Sequence, residues 1–284
     1  MASADPARRW NAVLPGGDLT LRICSALVLA PLAIAVTYIG GWPFALFWSL
    51  AALGVLWEWV SLVAPTDRWP VLTSGAVALA IAFGLVATGY LVAAIVVLAV
   101  GTLAIAALAS ADRRIWTAGA IPYAGALGVA PVVLRADGDA GFIAIVFLFA
   151  VVWTTDIAAY FVGRIVGGPK LMPRVSPKKT WSGAVGGTVA AIAAAVAVAK
   201  AAGLAGLFAV ALIALVLSVV SQAGDLFESF LKRSVGAKDS GHAIPGHGGL
   251  MDRLDGFVAA AAVAALIGLA RGGLAAPGRG LLGW

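Results

Sequence analysis

Apolar runs long enough to cross a bilayer are the feature that most constrains how this chain can fold. A membrane-spanning helix needs about 20 predominantly apolar residues, and the run from Leu91 to Ala109 contains no charged side chain. Of the 284 residues, 62% are hydrophobic and only 11% are charged, whereas soluble domains carry about 25% charged residues. The chain is therefore predicted to be a polytopic membrane protein.

Breaks at Gly, Pro and charged residues divide the apolar sequence into about nine predicted spans. They cover residues 23–40, 43–64, 72–89, 91–110, 117–134, 141–162, 183–202, 204–222 and 256–271. The predicted fold class is accordingly an all-α integral membrane protein with about nine transmembrane helices. Only the tripeptide TGY separates the third and fourth spans, so an eight-span count stays open.

The distribution of basic residues predicts the orientation, because Lys and Arg are enriched in cytoplasmic loops. With a cytosolic N-terminus, nine spans place fifteen of the 19 Lys and Arg residues on the cytosolic side. Four lie outside, namely Arg135, Lys200, Arg271 and Arg279. The Ala- and Gly-rich composition indicates a bacterial source. We therefore expect a multi-pass protein of the bacterial inner (cytoplasmic) membrane with its polar site facing the cytosol.

Polar chemistry is concentrated in two predicted cytosolic segments, residues 164–182 and 223–255. We interpret residues 1–135, which are rich in Ala, Val and Leu, as a transmembrane scaffold. Residues 136–284 form the predicted catalytic region that contains both loops. The net charge of +6 is attributed to membrane topology, and no interleaving of basic and aromatic residues indicates a nucleic-acid partner.

The first polar segment follows a carboxylate that lies within the sixth predicted span. A charged side chain at the centre of a span costs about 2.5–3.5 kcal/mol on insertion scales, which makes Asp156 a functional candidate. Asp156, Tyr160 and Arg164 are spaced four residues apart and therefore share a helix face. The alternative interpretation is a structural Asp–Arg pair within the helix bundle.

The sequence SPKKT, next along this segment, combines hydroxyl and ammonium donors. Ser176, Lys178, Lys179 and Thr180 suit the binding of a phosphate. A basic patch that contacts anionic lipid head groups is the alternative. The spacing of a Walker A motif is absent.

The second polar segment contains two groups of carboxylates. Asp225, Glu228 and Lys232 share a helix face and could form either a salt-bridged helix end or a site for a divalent cation. Mg²⁺ usually binds one or two carboxylates together with phosphate oxygens. Asp252 and Asp255 stand at the start of the last span, where a helix N-terminus also favours carboxylates.

Between these carboxylates lies the turn PGHGG, whose backbone N–H groups could bind an anion. His247 is the better histidine candidate for contacting a phosphate, whereas His242 is interpreted as a solvated loop residue. Two histidines five residues apart, with no third soft ligand, do not favour zinc. Carboxylates, cations and glycine turns together are typical of phosphoryl or nucleotidyl transfer.

The segment SFLKRSVGAKDSGHAIPGHGGLMDRLDG, residues 229–256, resembles the signature of the phosphatidate cytidylyltransferase (CDP-diacylglycerol synthase) family. Fourteen fixed positions match: Ser229, Lys232, Arg233, Lys238, Asp239, Gly241, Pro245, Gly246, His247, Gly248, Gly249, Asp252, Arg253 and Asp255. The upstream sequences DIAAYFVGR, SPKKTW and GDLFES are also similar to that family. The resemblance is strong over residues 150–270.

The resemblance implies a nucleotidyltransferase of phospholipid biosynthesis. It implies that CTP and phosphatidic acid react to give CDP-diacylglycerol and pyrophosphate, with Mg²⁺ as cofactor and a second cation such as K⁺ left open. It also implies a homodimer surrounded by membrane lipids.

Carried over to this sequence, the resemblance assigns roles to individual side chains. The metal ligands are expected to be Asp225, Asp252 and Asp255. The expected catalytic residues are Asp225, Asp252, Asp156, Lys238, Asp239 and His247. Substrate binding is expected from Ser176, Lys178, Lys179, Thr180, Tyr160, Arg164, Lys232, Arg233, Arg253, Gly248 and Gly249.

One position departs from the family pattern, because Ser182 stands where the family usually has Glu after KKTW. Glu228 is a candidate to take over the role of that residue.

Other classes of protein fit less well. A CDP-alcohol phosphotransferase would need a paired acidic motif that the sequence lacks. A transporter or channel would need acidic residues near the midplane of several spans and a repeat of broken helices.

Overall fold

The computed structural model describes residues 17–241 and 248–283, and nearly all of them are helical. The elements are α1 (Gly17–Ile39), α2 (Gly41–Val63), α3 (Arg68–Ala87), α4 (Leu91–Leu108), α5 (Arg114–Ala118), α6 (Ala120–Arg135), α7 (Gly138–Val166), β1 (Lys170–Met172), β2 (Ser176–Thr180), α8 (Trp181–Ala201), α9 (Leu207–Ser234), α10 (Met251–Gly272) and α11 (Pro277–Leu282).

Eight helical segments within the described residues are long and apolar enough to cross a membrane. They are α2, α3, α4, the combined α5–α6 segment, α7, α8, α9 and α10. The first predicted span lies in α1, which contributes the shorter apolar stretch Leu27–Ile39. The third and fourth predicted spans are separate helices joined by a turn in which Gly89 has a φ of +87°. The all-α polytopic fold class is confirmed.

The predicted boundaries of the second polar loop were wrong. Helix α9 continues to Ser234 and α10 begins at Met251, so both ends of the predicted loop 223–255 are helical. Residues 235–250 lie between the two helices, and 242–247 are outside the described residues. Polar residues at the end of α9 lower the local hydropathy without interrupting the helix. Hydropathy indicates which part of a segment lies within the membrane. The end of a helix is set by its backbone hydrogen bonds, which can continue beyond the apolar part.

The first polar loop forms a β-hairpin that the sequence pattern did not predict. Gly167 and Gly168 have φ values of +67° and +98°, a left-handed conformation that glycine adopts without steric cost. Strands β1 and β2 then pair antiparallel, with Lys170 opposite Thr180. The Thr180 hydroxyl accepts a hydrogen bond from Gly183 N at 3.1 Å and so caps α8. The hairpin thereby fixes the SPKKT segment above the helix ends.

Aromatic packing joins the two halves of the chain. Trp48 of α2 stacks on Phe257 of α10 with ring centroids 4.6 Å apart, and Phe149 of α7 lies 5.5 Å from Phe257. All three side chains are buried. Helix α2 is therefore packed directly against the helix that carries the last part of the signature.

Small residues allow α7 and α8 to approach each other closely. A Cβ atom added to Gly183 or Gly187 would lie 2.7 Å from the carbonyl oxygen of Ala159 or Thr155, respectively. Close approach at small residues gives transmembrane helices their van der Waals contact and is a main source of their association. The α7–α8 interface therefore depends on the absence of side chains at these two positions.

Hydroxyl groups connect the same helices to α9. The hydroxyls of Thr155 and Ser218 lie 2.8 Å apart, and Ser218 donates to Thr188 Oγ1 at 3.1 Å. The amide of Gln222 donates to the same Thr188 oxygen at 3.0 Å. Such interhelical hydrogen bonds stabilise helix association in lipid. They hold α7, α8 and α9 together in the region that precedes Asp225.

Replacement of Gly187 by Val should destabilise the helix bundle, because its Cβ would collide with the Thr155 carbonyl. Overpacking of this kind costs about 1–3 kcal/mol. The matched control is Gly84→Val, since a Cβ at Gly84 would meet nothing within 4 Å. We expect the thermal midpoint in detergent to fall clearly for Gly187→Val only, and equal midpoints for both variants would contradict this account.

Candidate active site

An ion-paired lysine connects the end of α9 to the start of α10. Lys232 Nζ lies 2.7 Å from Glu228 Oε2 and 2.5 Å from Asp252 Oδ1. The side chains of Lys232 and Asp252 are 11% and 13% exposed, and that of Glu228 is 1% exposed. Because buried charges must be paired, this group fixes the relative position of the two helices. Lys232 and Asp252, both expected at the site, are thus in direct contact.

The other oxygen of Asp252 organises the loop before α10. Asp252 Oδ2 accepts hydrogen bonds from Ser240 N at 3.2 Å and from Gly249 N at 3.1 Å. The bond from Gly249 N, three residues before Asp252, resembles the one that the acidic residue of a capping box accepts from the N-cap N–H. Both carboxylate oxygens of Asp252 therefore have partners in the protein.

A second ion pair joins the hairpin to α9. Lys179 Nζ of β2 contacts Asp225 Oδ2, and both side chains are about one-third exposed. This contact brings the two polar segments, which are far apart in sequence, to one site. Lys178 is exposed next to Lys179, whereas Ser176 is partly buried and Thr180 is buried.

Carboxylates from three helices converge beside these pairs. Asp156 of α7 is close enough to interact electrostatically with Asp225, Lys179 and Arg253. Asp255 of α10 interacts in the same way with Asp225, Glu228 and Asp156. Like charges at short range repel each other, so this acidic cluster of Asp156, Asp225, Glu228 and Asp255 suits the binding of cations.

Unpartnered polar atoms surround the acidic cluster. Glu228 Oε1, Ser221 Oγ and the Tyr123 hydroxyl are buried and make no hydrogen bond. Tyr123 also interacts electrostatically with Asp255 and Glu228. Buried polar atoms nearly always have partners, so these three atoms are available to a bound group. Tyr123 was missed by the sequence analysis because one tyrosine in an apolar run carries no signal.

The donor chemistry of the cluster fits Mg²⁺, which prefers carboxylate and phosphate oxygens. Within residues 17–241 and 248–283, no group of three or more Asp, Glu, His or Cys side chains is arranged to hold a metal ion. An ion bound here would therefore take at most two of these carboxylates and complete its shell with phosphate and water. The assignment of Asp225, Asp252 and Asp255 as ligands stays a prediction.

The remaining expected site residues differ in exposure and in their contacts. The exposed ones are Tyr160, Arg164, Arg233, Lys238, Asp239 and Arg253. Arg164 Nη1 donates to the Tyr160 hydroxyl at 2.9 Å, as their spacing on one helix face allows. The side chain of Ser182 contacts the Gly167 carbonyl and the Thr180 hydroxyl. His247 lies outside the described residues.

Glu58 of α2 is a site residue that the sequence analysis missed. Its carboxylate accepts hydrogen bonds from Leu250 N at 2.7 Å, Met251 N at 2.8 Å and Ser240 Oγ at 2.9 Å. A signal was present, because Glu58 is a lone carboxylate inside the second predicted span. The argument applied to Asp156 would have selected it.

An open apolar groove of about 520 Å³ lies next to the acidic cluster. Its walls come from α6, α9, α10 and the aromatic residue Trp59 of α2. Tyr123 and Phe227 line it, as do Gly224, adjacent to Asp225, and Ala259, one turn after Asp255. The groove therefore brings an apolar surface to the edge of a charged site, which is the pairing that a lipid phosphate requires.

The all-α membrane fold carries a cluster of carboxylates and lysines at its helix ends. The chain belongs to the cytidylyltransferase family, whose model matches residues 20–270. This confirms the resemblance found in residues 229–256.

Several bacterial phosphatidate cytidylyltransferases are similar to this chain. Phosphatidate cytidylyltransferases of Brucella suis and Brucella melitensis are each 45% identical over 259 residues, which covers 88% of this chain and 93% of theirs. The phosphatidate cytidylyltransferase of Staphylococcus saprophyticus is 42% identical over 115 residues, or 40% of this chain and 44% of its own.

Replacing Lys232 by Met should severely destabilise the protein, because Glu228 and Asp252 would lose their common partner. Removing one member of a buried ion pair costs about 3–5 kcal/mol. Arg233→Met is the matched control, since Arg233 is exposed at the next position. Thermal midpoint and yield of monodisperse protein measure the effect. A similar loss in both variants would contradict a structural role for the buried pair.

Gly249→Ala should loosen the loop 235–250, because the new Cβ would lie 1.8 Å from Ser240 Oγ and 2.6 Å from Glu58 Oε2. We expect trypsin to cleave after the exposed Lys238 several times faster than in the wild type. Gly206→Ala is the control, since its Cβ would meet nothing within 4 Å. Unchanged cleavage of Gly249→Ala would show that the loop tolerates the added atom.

Proposed function

We propose that this protein is a phosphatidate cytidylyltransferase, which forms CDP-diacylglycerol and pyrophosphate from CTP and phosphatidic acid. The observation that carries the proposal is the 45% identity with proteins of that name over 88% of the chain. The geometry supports it independently, since an apolar groove meets a cluster of lysines and carboxylates at the helix ends.

The proposed reaction is a single displacement at phosphorus. A phosphate oxygen of phosphatidic acid attacks the α-phosphorus of CTP, and the bond from that phosphorus to the bridging oxygen of the β-phosphate breaks. Pyrophosphate leaves with the electron pair of that bond. Bound Mg²⁺ would neutralise phosphate charge and align the displacement. One or two of the predicted ligands Asp225, Asp252 and Asp255 would hold the ion at a time, and a second cation such as K⁺ stays open.

Basic residues from both polar segments are proposed to bind the phosphates. Lys179 is only partly buried, so its ammonium can pair with either Asp225 or an incoming phosphate. Lys178 and Arg253 are exposed and supply further positive charge. Charged hydrogen bonds of this type are about twice as strong as neutral ones. These residues would hold the triphosphate while the lipid phosphate approaches.

The apolar groove is proposed to receive the acyl part of phosphatidic acid. Trp59, Tyr123 and Phe227 provide its aromatic walls. A lipid seated there would present its phosphate beside Asp225, because the groove extends to Gly224. The lipid substrate would thus approach sideways from the bilayer, and the nucleotide from water.

The orientation and assembly follow from the same proposal. The excess of basic residues in the loops supports a cytosolic N-terminus and a site that faces the cytosol. CTP is a cytosolic nucleotide, so a cytosolic site in the bacterial inner membrane is consistent with its use. A homodimer is part of the proposal through family resemblance.

The direct test is transfer of label from radioactive CTP into chloroform-extractable lipid by purified protein. We expect transfer that requires both phosphatidic acid and Mg²⁺ and that stops when the metal is chelated. Asp225→Asn should lower the rate by about 100-fold or more, because a charge that stabilises the transition state is removed. The matched control Asp112→Asn changes an exposed carboxylate outside the site and should retain activity.

Two outcomes would overturn the proposed function. One is the absence of labelled lipid from monodisperse wild-type protein. The other is equal labelling when phosphatidic acid is replaced by diacylglycerol, which lacks the attacking phosphate.

A further inference from the structure

We propose that Glu58, in the N-terminal half of the chain, is a positioning residue for the transfer reaction. It holds the first turn of α10 and the preceding loop in the arrangement that presents Asp252 and Asp255. The inference rests on the proposed function and extends it to a helix that carries none of the signature residues.

The Glu58 carboxylate is held by three donors from the far end of the sequence. Oε1 accepts from Leu250 N at 2.7 Å, and Oε2 accepts from Met251 N at 2.8 Å and from Ser240 Oγ at 2.9 Å. The two bonds from backbone N–H groups have the lengths of charge-assisted hydrogen bonds. Glu58 is 3% exposed, so the three bonds offset the cost of burying its charge. One side chain of α2 therefore binds two parts of the α9–α10 connection.

The N–H groups at the N-terminus of helix α10 need a hydrogen-bond acceptor. The first N–H groups of a helix have no partner within the helix, and Leu250, the residue before the first turn, provides no side-chain cap. Glu58 accepts from two of these N–H groups across the helix interface. A negative charge at a helix N-terminus is also electrostatically favourable. Glu58 thus supplies the cap that the local sequence lacks.

The surrounding glycines are required by the same carboxylate. A Cβ at Gly249 would lie 2.6 Å from Glu58 Oε2, and one at Gly241 would lie 3.1 Å from Oε1. In addition, a Cβ at Gly54, one turn before Glu58, would lie 2.7 Å from the Leu250 side chain. Gly241 and Gly249 belong to the fourteen signature positions. A side chain at Gly249 would collide with both Ser240 Oγ and Glu58, and one at Gly241 would be tightly packed against Glu58.

Ser240 transmits the position of Glu58 to the charged site. Its hydroxyl donates to Glu58, and its backbone N–H donates to Asp252 Oδ2 at 3.2 Å. Asp252 in turn pairs with Lys232. Glu58 is therefore linked to Asp252 by way of Ser240 and is bonded directly to the first turn of α10. Replacing Glu58 is expected to change the alignment of Asp252 and Asp255.

The test compares Glu58→Gln with the wild type. The amide keeps one acceptor oxygen but places an NH₂ donor opposite backbone N–H donors, so at least one bond is lost. Misplacement of site groups by about 1 Å can cost on the order of 100-fold in rate. We expect kcat per folded molecule to fall at least tenfold, while KM for CTP changes less than threefold. Ser49→Ala, which removes a hydroxyl bond within the same helix, should leave both constants unchanged.

Hydrogen–deuterium exchange separates positioning from general stability. In Glu58→Gln we expect faster exchange at residues 248–252, with no change in α3 and α4 and a similar thermal midpoint. A milder variant, Ser240→Ala, keeps the backbone bond to Asp252 and should lower kcat less. The double variant should lose little more than Glu58→Gln alone, since both changes remove the same contact.

The outcomes distinguish this inference from the proposed function. Unchanged exchange at residues 248–252, normal kcat in Glu58→Gln, or additive losses in the double variant would each overturn it. If Glu58→Gln does not fold, a wild-type kcat for Ser240→Ala would overturn it. If wild-type protein forms no labelled lipid, the proposed function fails, and the exchange experiment still decides whether Glu58 holds α10.

Discussion

Lys232 carries a charge that is largely withdrawn from water, and the arrangement of the site depends on how that charge is paired. Its ammonium lies between Glu228 of the same helix and Asp252 of the next. Because a buried charge without a partner is costly, α9 and α10 are fixed relative to each other at this point. The acidic cluster, the loop between the helices and the groove beside them all take their positions from that contact. Stability and chemistry therefore share the same residues.

The sequence predicted the membrane fold and most of the charged site, because both leave local signals. Apolar runs indicated the spans, and the spacing of residues 229–256 indicated the family. The hairpin was missed because it depends on pairing between Lys170 and Thr180 and on two glycine turns. The full length of α9 was missed because hydropathy falls before the helix ends. Glu58, a lone carboxylate within a predicted span, left a local signal that was not used, and its partners more than 180 positions away left none.

Glycines determine both the helix packing and the loop geometry in the C-terminal half of the protein. Gly183 and Gly187 let α7 and α8 touch through their backbones, whereas Gly241 and Gly249 let a loop fold over a carboxylate. In lipid, the gain from burying apolar side chains is small, and close backbone approach replaces it. At the site, the absence of a side chain leaves backbone N–H groups accessible to carboxylates. A Gly-rich composition thus serves helix packing and charge binding together.

The proposed entry of the lipid through the open groove would also determine which lipid concentration the protein responds to. Carrying two acyl chains of about 30 methylene groups through water would cost upwards of about 20 kcal/mol at 0.8 kcal/mol per group. A lipid that enters and leaves through an apolar groove avoids that barrier and stays within the bilayer. The rate of encounter with the lipid then depends on diffusion within the bilayer and on the mole fraction of the lipid among its neighbours. Dilution of the membrane with other lipids would slow the protein even when the total amount of substrate is constant.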